Sequence, residues 1–241
     1  MIDPVHTVLV TRPTIVLVHS PLVGPSTWTG SAGPLRDKGF GVVVPALAAV
    51  VDGEPPFYHR IAETVAGQVE NRPVVLVGHS GAGALLPAIA DAVPGEVRAA
   101  VFVDAILPHP GEDWFTTAPP ELGRRLESLA VEGRLPPWHE WFPPGALTAL
   151  FPDPETHRRF VAELPRVPLA YFAERAPEAE RWPPPACGYV RLSEPYDVVA
   201  DECERLGWPV HRVDANHLAM LTQPGFVAGL VARAVTELTG E

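Results

Sequence analysis

The chain has 241 residues, 46% of them hydrophobic, and a formal net charge of −11. That length suits one α/β domain carrying an insertion, and the apolar share is enough to bury a substantial core. So acidic a balance argues against nucleic acid or an anionic membrane surface as a partner, and no apolar run approaches the length of a membrane span.

The first residues, Met1 to His6, lack the basic residues and long apolar core of a secretory signal. Cys187 and Cys203 stand far apart with no Cys-x-x-Cys, and read as buried thiols of a cytoplasmic protein, a disulfide being the alternative. No Cys and His spacing suggests a metal site, and no internal repeat is visible. Lys38 is the lone lysine among many arginines; with abundant Ala, Gly and Pro, this points to a GC-rich bacterial genome.

In chain order, Val5–Val10 and Thr14–Val18 read as strands separated by Arg12-Pro13. The second runs into His19-Ser20-Pro21-Leu22-Val23-Gly24. A weak helix after Trp28 stops at Lys38-Gly39, Gly41–Pro45 is a strand, and Phe57–Glu70 has helical periodicity. Val74–Val77 is a short unbroken apolar run, the pattern of a strand buried on both faces of a parallel sheet. A helix-prone run, Gly83–Ala92, follows, then a strand over Val97–Val103 that ends at Asp104.

After Asp104 the pattern changes. Residues 105–185 hold 16 of the 30 prolines and 10 of the 19 aromatics, a density that forbids long helices and predicts short ones joined by rigid turns. Regularity returns with a strand over Gly188–Ser193, a helix over Asp197–Leu206, a strand over Val210–Val213 and a final helix from Pro224 to Leu238. Such alternation of short apolar strands with helices predicts a mostly parallel sheet flanked by helices. The core is assigned to residues 1–104 and 186–241. Residues 105–185 read as a cap over the carboxyl edge of the sheet, where open α/β sheets bind ligands.

The chemistry centres on Gly78-His79-Ser80-Gly81-Ala82, a serine at a strand-to-helix turn with tiny residues two positions to either side, the pattern of a nucleophile elbow. A flexible loop would not usually separate a buried strand from a helix. A dinucleotide fingerprint through Gly81-Ala82-Gly83 would need its third glycine at Leu86. A serine hydroxyl needs a base. His217 is the histidine in the loop directly after the last strand, at the same sheet edge as Ser80. His79 adjoins Ser80 at a tight turn and points another way, and His19 braces the loop that follows it.

The His19–Gly24 loop, the elbow, the cap and Asn216-His-Leu-Ala-Met-Leu-Thr-Gln-Pro224 together resemble the α/β-hydrolase superfamily across nearly the whole chain. The C-terminal segment is similar to the branch holding plant methylesterases and hydroxynitrile lyases. The resemblance implies an acid partner for His217. In much of the family it follows the next-to-last strand, where Glu194 and Asp197 lie. Val101-Phe-Val-Asp104-Ala-Ile-Leu-Pro resembles instead the acid position of haloalkane-dehalogenase-like relatives, which favours Asp104. It also implies an oxyanion hole formed by the Gly81 N–H and a second donor from the loop after the first long strand. Pro21 has no N–H to give there, which leaves Leu22 or the Ser20 hydroxyl.

The expected function is that of a cofactor-free, metal-free serine hydrolase acting on an ester, thioester or lactone of an apolar small molecule. Ser20, Pro21, Trp114, Trp138 and Trp141 are its candidate substrate contacts. Pro21 also keeps open a lyase, dehydratase or cyclase of bacterial natural-product tailoring, and the fold admits a non-catalytic ligand receptor.

Overall fold

The computed structural model describes residues 12–241. The strand expected over Val5–Val10 lies outside them. Six parallel strands form one sheet: β1 Thr14–Val18, β2 Gly41–Val43, β3 Val74–His79, β4 Val97–Val103, β5 Cys187–Arg191 and β6 Val210–Arg212. Their spatial order is β2-β1-β3-β4-β5-β6. The chain therefore winds outward from β1 to β2, crosses back to β3, and continues the other way. The loops after β1 and β3 leave the sheet side by side at this reversal, the place where a doubly wound sheet opens a crevice. Those loops contain Ser20 and Ser80.

Every residue of β1 and β3 is buried, because helices cover both faces. The two-residue period of a strand divides the core accordingly. Ile15, Leu17, Val75 and Val77 pack with Trp28 and Leu35 of α1 (Ser26–Asp37) and with Val227, Val231 and Val235 near the C-terminus. Val16, Val18 and Leu76 face the other way. They meet α2 (Ala48–Val51), α3 (Phe57–Ala66) and α4 (Leu86–Ala92) through Val51, Phe57, Ile61 and Ile89.

Several helix bounds differ from the sequence expectation for identifiable reasons. α1 begins ahead of Trp28, and its signal is weak because it contains Gly30, Gly33 and Pro34. α3 ends at Ala66, where Gly67 takes the closing position. Ser80–Leu85 is a 3₁₀ turn and α4 starts only at Leu86. Pro87 explains the delay: it has no N–H to bond back to Gly83, yet is well tolerated in the first turn of a helix.

Between β4 and β5 lie α5 (Trp114–Thr117), α6 (Pro120–Leu129), α7 (Pro154–Ala162) and α8 (Leu169–Ala173), with 3₁₀ turns at Trp138–Trp141 and Thr148–Leu150. None of these helices exceeds ten residues. Carboxylates tie this region to the helices below. Glu163 accepts from the Ser26 N–H at the start of α1 (2.8 Å), and Glu174 accepts from the Phe57 and Tyr58 N–H groups at the start of α3 (2.7 and 3.0 Å). Asp91 accepts from the N–H groups of Glu180 and Arg181 (2.9 and 2.7 Å). The chain ends with α9 (Asp197–Arg205), α10 (Ala219–Thr222) and α11 (Pro224–Thr239).

Cys187 and Cys203 are buried free thiols, and burial pushes each up to about 12. Among the described residues no helix is long and apolar enough to cross a membrane, and no group of His, Cys, Asp and Glu is arranged to hold a metal ion.

Candidate active site

Ser80 follows directly on β3 with φ 57°, in the left-handed region that a non-glycine residue enters only under constraint. The constraint is backbone: the Ser80 N–H donates to the Asp104 carbonyl and the Ile106 N–H donates to the Ser80 carbonyl, both at 3.1 Å. The tight turn leaves no space beside it. A Cβ at Gly78 would meet Leu86 at 3.1 Å, and one at Gly83 would lie 1.9 Å from the Ile106 carbonyl oxygen. Gly83 is thus the glycine that lets the loops after β3 and β4 lock together, while Ala82 fits fully buried.

Asp104 is fully buried and also left-handed, with φ 43°. Its carboxylate is satisfied from β5 onward: Oδ1 accepts from the N–H groups of Leu192 (2.5 Å) and Ser193 (3.2 Å), and Oδ2 from the Ser193 hydroxyl (2.5 Å). The remaining contact of Oδ2 is His217 Nδ1 at 3.2 Å. Asp197 is occupied elsewhere, accepting from Arg191 at 2.6 Å and Arg212 at 3.3 Å, and Glu194 is exposed. Of the three acids considered from the sequence, Asp104 is the one beside His217.

Two rings hold the His217 imidazole. Tyr196 stacks on it at 5.0 Å with planes 7° apart, and His79 lies at 4.4 Å on a tilt of 34°. His79 donates from Nε2 to the His217 carbonyl (2.9 Å), while its Nδ1 is buried without a partner among the described residues. Burial, then the neighbouring His217, keeps His79 far below the ordinary histidine range, so it remains a neutral strut. Tyr196 also lines two cavities with Ser80, and burial pushes its phenol up to about 12, which keeps it a donor. Nothing in the sequence singles out Tyr196, which lies between Glu194 and Asp197, the candidate acids of the loop after β5.

The loop after β1 is braced by His19, which is fully buried. Its Nδ1–H donates to the Ser20 carbonyl (2.8 Å), and its Nε2 accepts from the Leu47 N–H (3.3 Å). The Leu22 N–H is not free: it donates to Ser20 Oγ at 3.3 Å. That hydroxyl oxygen would stand 3.1 Å from a Cβ on Gly81, with Pro21 Cδ close behind at 3.6 Å.

Two cavities meet at Ser80, Ser20, Leu22 and Tyr196. One, of about 200 Å³, extends past Pro21, Gly81, Trp114 and Trp141 to Tyr58 and Tyr171. The other, of about 410 Å³, contains His79 and His217 and is walled by Trp138, Phe142, Leu147 and Leu150. All the candidate contact residues line one cavity or the other.

The order of the sheet, the strained serine after β3 and the histidine–carboxylate contact after β4 and β6 define an α/β-hydrolase fold. The chain belongs to the alpha/beta hydrolase family, whose family model matches residues 15–230. It is similar to a carbendazim hydrolyzing esterase from Nocardioides sp. (strain SG-4G), with 28% identity over 126 residues. That match spans 49% of this chain and 52% of the esterase, so the chain spans about half the length of the curated relative it matches. Among solved structures, an extracellular alpha/beta-hydrolase from a Paenibacillus species has a TM-score of 0.74 at 20% identity, covering 92% of this chain and 99% of that one. It is described as sharing structural and functional homology with tobacco salicylic acid binding protein 2. A pyrethroid hydrolase from Sphingobium faniae JZ-2 gives 0.68 at 20% identity, covering 93% and 98%. At these identities the structural likeness is one of fold.

Proposed function

We propose that this protein is an esterase-type serine hydrolase that cleaves an ester, thioester or lactone of an apolar small molecule without a cofactor. The observation that carries the reading is the Asp104–His217 contact on the imidazole's Nδ1, which leaves Nε2 for the serine at the strained turn. In this mechanism Ser80 Oγ attacks the carbonyl carbon while His217 Nε2 takes its proton. Asp104 holds the tautomer and stabilises the imidazolium. The proton then passes to the leaving oxygen, the carbon–oxygen bond breaks, and water, activated by the same imidazole, releases the acid.

Charge on the carbonyl oxygen is met by the Gly81 N–H. The second donor is the Ser20 hydroxyl: its oxygen already accepts from Leu22, so its proton is the one available to the substrate. One such donor is worth about 3 kcal/mol in the transition state. The leaving group occupies the cavity that contains His217, because the imidazole must reach the leaving oxygen. The acyl half occupies the other cavity, beside Gly81 and Ser20. Residues 105–185 act as the cap, since Trp114, Trp138 and Trp141 wall these spaces. A cytoplasmic setting suits the free buried thiols, and the composition suits a bacterial one.

A fluorophosphonate probe tests the reading. Wild type is expected to be labelled stoichiometrically and to release a burst of 4-nitrophenol from an activated ester, with Ser80→Ala showing neither. Labelling without any burst or turnover would favour a non-hydrolytic role for the same site, and equal labelling of both proteins would overturn it altogether.

A further inference from the structure

The smaller cavity is lined mainly by carbon, yet two tyrosines besides Tyr196 also line it. Tyr58 of α3 and Tyr171 of α8 are 3% and 6% exposed, and their rings stack at 6.0 Å with planes 15° apart. Among the described residues neither hydroxyl is held in a hydrogen bond, although both side chains line the cavity. Each phenol brings a proton, so the pair has a proton to offer a ligand that the protein itself does not use.

The surroundings define what would accept it. Burial, and then the nearby carboxylate of Glu174, holds the Tyr58 phenol far above its ordinary value; burial, Tyr58 and Glu174 do the same for Tyr171. Both therefore stay donors. The same Glu174 charge, fixed on the N–H groups of Phe57 and Tyr58, repels an anionic ligand, while Trp114, Leu126 and Phe172 exclude water from the rest of the wall. A neutral oxygen on an otherwise apolar group fits both conditions.

We propose that Tyr58 and Tyr171 form a specificity-determining pair that reads a neutral oxygen acceptor (an ether, ketone or hydroxyl) on the acyl half of the substrate, remote from the scissile carbonyl. This rests on the hydrolase reading and on the acyl group lying in the smaller cavity. The test uses 4-nitrophenyl octanoate and isosteric esters in which an ether oxygen replaces one chain methylene from the fifth carbon outward, with rates corrected for intrinsic reactivity. At one oxygen position wild-type kcat/KM is expected to exceed that of the octanoate by about tenfold, the contribution of one neutral hydrogen bond. In the Tyr58→Phe/Tyr171→Phe double variant that ratio should fall to near one. No preferred position in wild type, or a preference that survives in the double variant, overturns the proposal. Calorimetric dissociation constants for the matching primary amides give the same comparison without turnover. A preference there in a protein that hydrolyses no ester would uphold the subsite while removing the hydrolase reading.

Discussion

Asp104 and Asp197 differ at the residue scale in what already surrounds each carboxylate. Asp197 faces two guanidinium groups on the protein surface, an arrangement that neutralises it and keeps it from the imidazole. Asp104 receives two backbone N–H groups and a hydroxyl, which fix the carboxylate without cancelling its charge and leave Oδ2 turned to His217. Asparagine tolerates the left-handed backbone at position 104, so Asp104→Asn separates charge from conformation. It is expected to fold and to lose turnover by up to about ten-thousandfold, through loss of the oriented tautomer. Asp197→Asn removes partly exposed ion pairs and should cost about 1 kcal/mol of stability, with turnover little changed. Steady-state kinetics on one activated ester decides the assignment: a crippled Asp197→Asn beside an active Asp104→Asn would reverse it.

At the scale of elements, the loop after β1 depends on an imidazole that must stay neutral. Burial lowers His19 from 6.5 to about 4, so over that interval the unfolded chain binds a proton that the folded chain does not. Its stabilising contribution is complete above pH 6.5 and is lost as pH falls towards 4, by about 3 kcal/mol at most. His79 adds a loss of the same sign. Urea midpoints measured across this window should fall with pH, and His19→Gln, though less stable at neutral pH, should fall less steeply. Parallel slopes for the two proteins would show that His19 is not responsible. The elements themselves were largely legible in the sequence. Strands buried on both faces leave unbroken apolar runs, and the serine turn shows in the glycines it requires. The partners that complete the site were not legible, because they are long-range. Tyr196 reaches the His217 imidazole only through the fold of the loop after β5, and Glu163 and Glu174 bond to helix ends more than a hundred residues earlier. The delayed start of α4 was written in Pro87, but helix-prone neighbours concealed it.

Across the whole molecule, the region between β4 and β5 is tied to α1 and α3 by carboxylates seated on helix N-termini, where free N–H groups and the helix dipole favour negative charge. Glu174→Gln keeps the shape but removes the charge at the start of α3. It should loosen α8, seen as faster amide hydrogen exchange over residues 169–173, while β3 and β4 keep wild-type protection. Unchanged exchange in α8 would show that apolar packing alone fastens it. The meeting of two cavities at Ser80 has a consequence for the order of events in the proposed reaction. The imidazole that gives a proton to the departing alcohol later takes one from water, so water must occupy the position the alcohol has left. The acyl half stays behind in the smaller cavity meanwhile, and a slow-leaving alcohol would hold up the second half-reaction simply by standing in water's place. A short alcohol added to the medium could fill that same position and intercept the acyl group, turning hydrolysis into exchange of one ester for another.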